Sequence, residues 1–288
     1  MPRPTVVFAG TGAIGRPMAS RVAAAGHPIV AVDPHPAAHA WAEEAGITAA
    51  ASLAEAPRAE TVVVMVATPE QLAALVDDAL AVGVTGQRWI VMSTVGPDSV
   101  REQGGRLAAA GAAVLDAPVT GGVARARTGE LTLFAAGPAE DIAAARPVLD
   151  RLGTVREVGG EIGAGQAIKV VNQHLCAVHI VAAAEALSLA GDLGLDRRDV
   201  LALVEQGAAG SWMLSDRGPR MLEGTDTEVT SAIGIFVKDS DLVAQAARGA
   251  GAQTPLLDVA RDRYARAAEL GLARRDDSRV IETYGGPE

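Results

Sequence analysis

The chain has 288 residues, of which 49% are hydrophobic and 21% charged, so it can bury a sizeable core and is not disordered throughout. That length suits about two domains. The formal net charge of -10, with no basic stripe, argues against a nucleic-acid partner, although a local lysine or arginine can still hold a small anion.

The opening Met1-Pro2-Arg3-Pro4 leads straight into an apolar run and lacks the pattern of a signal peptide. Residues 5–9 read as a buried strand, 14–25 as a helix and 28–33 as a second strand. Further β-branched runs follow at 61–67, 89–93, 113–118 and 131–136, with alanine-rich helical stretches between them. Short apolar strands alternating with helices predict parallel pairing through crossover helices, hence an α/β fold with a doubly wound, Rossmann-type sheet.

After about Gly160 the strand signal fades. A long apolar-periodic segment runs from Gly163 to about Gly194, and further helices are expected over 197–206, 211–222, 236–249 and 255–270. The chain therefore divides into a dinucleotide-type domain over 1–162 and an all-α domain over 163–288, joined through one long interdomain helix. Within that helix the apolar stretch 170–190 is interrupted by Asn172, Gln173, His174, His179 and Glu185, which argues for burial between protein surfaces and against a membrane span. Cys176 is the only cysteine, so there is no internal disulfide, and His27, His174 and His179 lack partners at metal-ligand spacing. A soluble, cytoplasmic protein without a metal is expected.

The chemistry starts at Gly10-Thr11-Gly12-Ala13-Ile14-Gly15, placed between a strand and a helix as a dinucleotide fingerprint requires. Gly10 permits the tight turn, Gly12 the approach of a pyrophosphate and Gly15 close packing of helix on strand. The helix N-terminus offers N–H groups to phosphate. Asp33, ending the second strand, can accept hydrogen bonds from ribose hydroxyls and repels a 2′-phosphate, so NAD is favoured over NADP.

Three more segments are distinctive: Asp116-Ala117-Pro118-Val119-Thr120-Gly121-Gly122, Gly163-Ala164-Gly165-Gln166-Ala167-Ile168-Lys169-Val170-Val171-Asn172-Gln173, and Phe236-Val237-Lys238-Asp239. Two adjacent glycines beside a hydroxyl can hold a carboxylate. A lysine with two amides one turn later, on an otherwise apolar helix, is poorly explained by packing. Burial disfavours the charged form of an ammonium, which suits a group that must exchange a proton near neutral pH.

With the glycine loop, these segments make the chain resemble the β-hydroxyacid dehydrogenase family, which includes 3-hydroxyisobutyrate and tartronate semialdehyde enzymes. The resemblance implies hydride transfer between NAD and a small hydroxy acid at a site between the domains. Lys169 is then the general acid/base, with Asn172 beside it. Thr120 (where the family usually has serine), Gly121, Gly122 and Gln173 bind substrate, and Lys238 approaches the nicotinamide. The loops at Ala67 and Thr68 and at Ser93 and Thr94 face the cofactor. A homo-oligomer, dimer or tetramer, is implied as well.

Within the family, Ala209-Gly210-Ser211-Trp212-Met213 and Asp276-Asp277-Ser278 resemble the subgroup that includes L-threonate dehydrogenases, although the subgroup's histidine is replaced by Asn172. Trp212 then closes one wall of a pocket for a four-carbon sugar acid, and Ser211, Asp277 and Ser278 hydrogen-bond its hydroxyls. The alternatives are a 3-hydroxyisobutyrate or 2-hydroxy-3-oxopropionate activity, an imine reductase, or a dinucleotide-binding protein without turnover. Retention of Lys169 argues against the last two.

Overall fold

The computed structural model describes residues 5–224 and 227–285, so the Met1 to Pro4 opening lies outside the described residues. Two compact units make up the chain, the first running to Lys169 and the second beginning at Val170.

The first unit contains, in order, β1 (Val6–Ala9), α1 (Gly15–Ala24), β2 (Ile29–Val32), α2 (Pro36–Glu44), β3 (Thr48–Ala50), β4 (Thr61–Val64) and α3 (Pro69–Val82). It continues with β5 (Arg88–Val91), α4 (Pro97–Ala109), β6 (Ala113–Asp116), β7 (Val119–Thr120), α5 (Gly122–Thr128), β8 (Leu131–Ala136), α6 (Ala139–Leu149) and β9 (Gly153–Gly159). The sheet order is β3-β2-β1-β4-β5-β6-β8-β7, with β9 on β8. From β3 to β6 every pairing is parallel, whereas β6 and β7 meet β8 antiparallel.

The central strands are buried on both faces, which is why VVFA, IVAV and TVVV read as continuous apolar runs rather than alternating ones. Phe8, Met18, Ile90 and Leu133 pack on one side, and Val7, Leu72, Trp89 and Leu107 on the other. Register then places the site. Val32, Ala9, Val64, Val91 and Asp116 form one row across the sheet. The residues after them, Asp33, Gly10, Met65, Met92 and Ala117, leave at the carboxyl ends of the strands, where doubly wound sheets bind ligands.

α7 (Ala164–Asp192) begins in the first unit and carries the chain into the second. By length and composition alone this helix is apolar enough to cross a membrane. Its Ala177, Ile180, Ala184 and Leu187 are core residues of the second unit, and the Tyr264 hydroxyl donates to the Ala177 carbonyl. α8 (Arg197–Val204), α9 (Trp212–Met221), α10 (Ile233–Gly249), α11 (Pro255–Glu269) and a 3-10 helix over Asp277–Tyr284 complete that unit. Asp196 caps α8 and Ser211 caps α9, each side chain accepting from N–H groups of the first turn. Phe236 of α10 stacks on Tyr264 of α11 with ring centroids 5.2 Å apart.

The fold is therefore a Rossmann-type sheet followed by helices, as expected, but with three strands absent from the sequence reading. β3 is three residues of small side chains, β7 two residues beside glycines, and β9 a strand with no fully buried position. None carries a continuous apolar run. Conversely, the runs expected to reach 67, 93 and 118 leave their ladders at Val64, Val91 and Asp116, because their ends belong to the ligand-facing loops.

Candidate active site

The 10–15 loop is shaped by clearances that only glycine allows. A Cβ on Gly10, which has φ +94°, would lie 2.5 Å from the Met65 carbonyl oxygen, and one on Gly15 would lie 2.2 Å from that of Gly10. Gly12 is exposed with nothing within 4 Å of its own Cβ position, so the outer side of the loop lies open to a ligand. α1 begins behind it without a side-chain cap; because the Arg16 N–H donates to the Gly12 carbonyl and Pro17 has no N–H, an anion would meet the N–H of Gly15 and those of the loop before it. These features fit a dinucleotide pyrophosphate.

Asp33 is engaged with that loop. Its Oδ2 accepts from the Thr11 N–H at 2.8 Å, and its Oδ1 from the His35 N–H at 3.0 Å. The carboxylate thus ties the end of β2 to the glycine turn while keeping lone pairs for a ribose. Arg16, which the sequence reading passed over, donates to the Thr11 and Ala37 carbonyls and lies over the Trp41 ring. Thr68 caps α3 by accepting from the Gln71 N–H, and Gln71 in return accepts from the Ala67 N–H. Ser93 is turned inward, its hydroxyl and N–H both donating to the Val64 carbonyl and its own carbonyl accepting from Gln166, whereas Thr94 is half-buried.

Thr120 ends β7, and Gly121 and Gly122 open α5 with positive φ. A Cβ on Gly121 would lie 2.9 Å from the Arg125 side chain, so the turn admits only glycine.

The most heavily bonded point of this unit is Asp116 with Gln166, both 0% exposed. Asp116 Oδ2 accepts from the N–H groups of Gly163 and Gln166 at 3.0 and 2.9 Å. Gln166 Nε2 donates to Asp116 Oδ1 and to the Ser93 carbonyl, and its Oε1 accepts from the N–H groups of Val95 and Gly96. Burial outweighs these hydrogen bonds and pushes the Asp116 carboxyl up to about 6. Lys169 follows Gln166 by three residues, still in the first unit, and is only 6% exposed. Its residue type stood out in the sequence. The pairing of Asp116 with Gln166 did not, although a glutamine one turn before a lysine on an apolar helix was a signal for it.

In the second unit, Asn172 Nδ2 donates to Gln173 Oε1, and Gln173 Nε2 donates to the buried Asp239 carboxylate. Lys238 Nζ lies 2.8 Å from Asp239 Oδ1. Asn172, Gln173 and Lys238 thus share one hydrogen-bonded cluster centred on Asp239. Ser211 spends its oxygen on the cap of α9, and Trp212, 48% exposed, lies over the Arg217 guanidinium. Asp276 and Asp277 are fully buried and held by Arg220 and Arg217, and Ser278 is fully buried beside them, so Asp277 and Ser278 build the unit instead of meeting the hydroxyls of a substrate. Asp276 caps the 3-10 helix through the Ser278 N–H.

Known proteins of two related kinds match this arrangement. Residues 5–171 match the family described as the NAD binding domain of 6-phosphogluconate dehydrogenase, and residues 163–284 match NAD-binding of NADP-dependent 3-hydroxyisobutyrate dehydrogenase. A Cupriavidus necator L-threonate dehydrogenase is 36% identical across 97% of this chain and 95% of its own length. A Pseudomonas aeruginosa 3-hydroxyisobutyrate dehydrogenase is 32% identical across 98% and 99%, respectively. The crystal structure of 3-hydroxyisobutyrate dehydrogenase from Salmonella typhimurium is similar with a TM-score of 0.89, at 33% identity over 97% of this chain and 99% of that one.

Proposed function

This chain belongs to the NAD-dependent hydroxy-acid dehydrogenases of the 3-hydroxyisobutyrate dehydrogenase type, and we propose that it oxidises a four-carbon sugar acid such as L-threonate with Lys169 as general acid/base. The observation that carries the assignment of Lys169 is its place: a lysine 6% exposed, one turn beyond a glutamine bonded to the 93–96 loop and to the end of β6. The L-threonate dehydrogenase relative supports the substrate.

Gly10, Thr11, Gly12, Ala13, Ile14 and Gly15 would hold the pyrophosphate of NAD and Asp33 its adenosine ribose, with the loops at Ala67 and Thr68 and at Ser93 and Thr94 along its length and Lys238 toward the nicotinamide. The chemistry supplied by bound NAD is acceptance of a hydride from the hydroxyl-bearing carbon. The N–H groups of Gly121 and Gly122 and the Thr120 hydroxyl bind the substrate carboxylate. Neutral Lys169 takes the hydroxyl proton at Nζ, and in the reverse direction its ammonium returns it. Asn172, whose amide orientation is set by Gln173, orients the reacting oxygen, and Ser211 and Trp212 border the remaining hydroxyls.

The active form is proposed to be a cytoplasmic homo-oligomer. Val171, Leu175 and Leu189 leave an exposed apolar line along α7, and Leu256 and Val259 are exposed on α11, the surface a second copy would cover.

The test is a comparison of kcat/KM for L-threonate, 3-hydroxyisobutyrate and 2-hydroxy-3-oxopropionate (the last assayed in reduction), with Lys169→Ala as control. Threonate is expected to lead, since polar sites reject substrates lacking the matching hydroxyls. Lys169→Ala is expected to lower kcat by ~10²–10⁴-fold with little change in NAD affinity. A lead for 3-hydroxyisobutyrate overturns the sugar-acid reading, and a fully active Lys169→Ala overturns the role of the lysine.

A further inference from the structure

We propose that Asp116 and Gln166 are positioning residues for Lys169, seating the first turn of α7 on the ends of β5 and β6. The inference rests on the reading of Lys169 as acid/base and adds what holds it in place.

A helix leaves four N–H groups unpaired at its start. α7 is 29 residues long, yet the residue before it is Gly163, which has no side chain to cap it. The cap comes from another element. Asp116, at the end of β6, accepts from the N–H groups of Gly163 and Gln166, 47 and 50 residues away in the chain.

Gln166 extends the attachment to a third segment. A glutamine amide has two donor hydrogens and two acceptor lone pairs. Here Nε2 donates to Asp116 Oδ1 at 3.1 Å and to the Ser93 carbonyl at 2.9 Å, while Oε1 accepts from Val95 and Gly96 at 3.1 and 3.0 Å. Every bond the amide can make is made, and none is to solvent.

The helix also comes very close to the sheet. A Cβ on Gly165 would lie 2.4 Å from the Phe134 carbonyl oxygen and 2.9 Å from that of Asp116. The first turn of α7 is therefore held by directional bonds on one side and by backbone contact on another. Lys169, three residues after Gln166, moves with that turn, since residues at this spacing share a helix face. Thr120 and its two glycines follow the same β6 strand end, so Asp116 relates the lysine to the carboxylate-binding loop. The bonds matter because misplacement of about 1 Å can cost ~10²-fold in rate.

Near-isosteric exchanges test this without opening a cavity. In Asp116→Asn an N–H group faces the Gln166 N–H, and in Gln166→Glu an oxygen faces the Asp116 oxygen and the Ser93 carbonyl. The reciprocal double variant, Asp116→Asn with Gln166→Glu, restores the bond between the two side chains with its direction reversed and leaves only the Ser93 carbonyl opposed by an oxygen. Each single variant is expected to lose ~10–100-fold in kcat, with KM and the NAD dissociation constant within about threefold of wild type. Amide hydrogen exchange across residues 163–172 is expected to accelerate in each. The double variant is expected to regain at least about tenfold in kcat and to slow exchange again.

Wild-type kcat in either folded single variant overturns the proposal. So does loss of kcat in proportion to loss of NAD binding and thermal stability, or a double variant no better than the worse single one. If one single variant does not fold, the other carries the same comparison. Lys169→Ala separates the two readings. Should it stay fully active, the acid/base assignment falls and the positioning role with it; should it be inactive while the exchanges are silent, only the positioning role falls.

Discussion

Both units bury carboxylates completely, but they neutralise the cost by opposite means. In the first, Asp116 meets two backbone N–H groups and an uncharged amide, with no cation among its bonding partners. In the second, Asp277 meets Arg217, which also pairs with Asp216, and Asp276 meets Arg220 and the hydroxyl and N–H of Thr230. The Arg217 guanidinium supplies charge through a two-pronged contact, Nε on Asp277 Oδ1 and Nη2 on Oδ2, and so joins α9 to the 3-10 helix as a rivet. Uncharged amide and N–H donors are individually weaker, and three of them, from Gly163 and from the main chain and side chain of Gln166, converge on Asp116 at the start of α7. Charge is used to tie two elements of the second unit together, and uncharged bonds where the proposed acid/base Lys169 follows one turn later.

The largest expected effect that would break this contrast is in the second unit. Asp277→Ala leaves Arg217 buried without its principal partner and is expected to destabilise the protein by about 3–5 kcal/mol, read from denaturant melts. A loss under about 1 kcal/mol would mean that the buried arginines are not rivets at all.

Next comes the pH dependence of stability, where Asp116 and Asp276 should pull in opposite directions, whereas burial raises Asp277, like Asp116, despite Arg217. Asp116 has its folded pKa raised from 3.8 to about 6. It therefore binds its proton more tightly in the folded state, and its contribution is most favourable below about 3.8 and is lost as pH rises through about 6. The span is on the order of 3 kcal/mol at most. Asp276, lowered by the Ser278 and Thr230 hydrogen bonds and by Arg220 despite its burial, contributes stability above its unfolded pKa that is lost as pH falls through the folded one. Asp116→Asn should thus gain on wild type between pH 4 and 7 in melts at several pH values. A constant gap between the two proteins across that range would contradict the cost assigned to burying Asp116.

The smallest effect concerns Trp212, which covers the rivet at one end. Trp212→Ala is expected to cost about 0.5–1 kcal/mol through the lost contact with Arg217, and to raise KM for threonate more than it lowers kcat. An unchanged KM in steady-state assays would leave Trp212 as a cover for Arg217 alone.

The sequence by itself was enough for the doubly wound first unit, the helical second one, the glycine loop and the prominence of Lys169. These follow from local rules: strands buried on both faces leave continuous apolar runs, and a turn that brings Gly10 against Met65 and Gly15 against Gly10 leaves a glycine at each place. Only the tertiary structure decided what Asp116, Gln166, Asp276 and Asp277 do. Their partners lie between 45 and 60 residues away for most of their bonds, and a carboxylate that caps a distant helix looks the same in a sequence as one that binds substrate or faces water. The same holds for β3, β7 and β9, which exist because a neighbour offers an edge to pair with and not because their own residues demand a strand. Hydrophobic periodicity is written residue by residue along the chain, whereas the direction of a buried hydrogen bond is settled only when two distant segments meet.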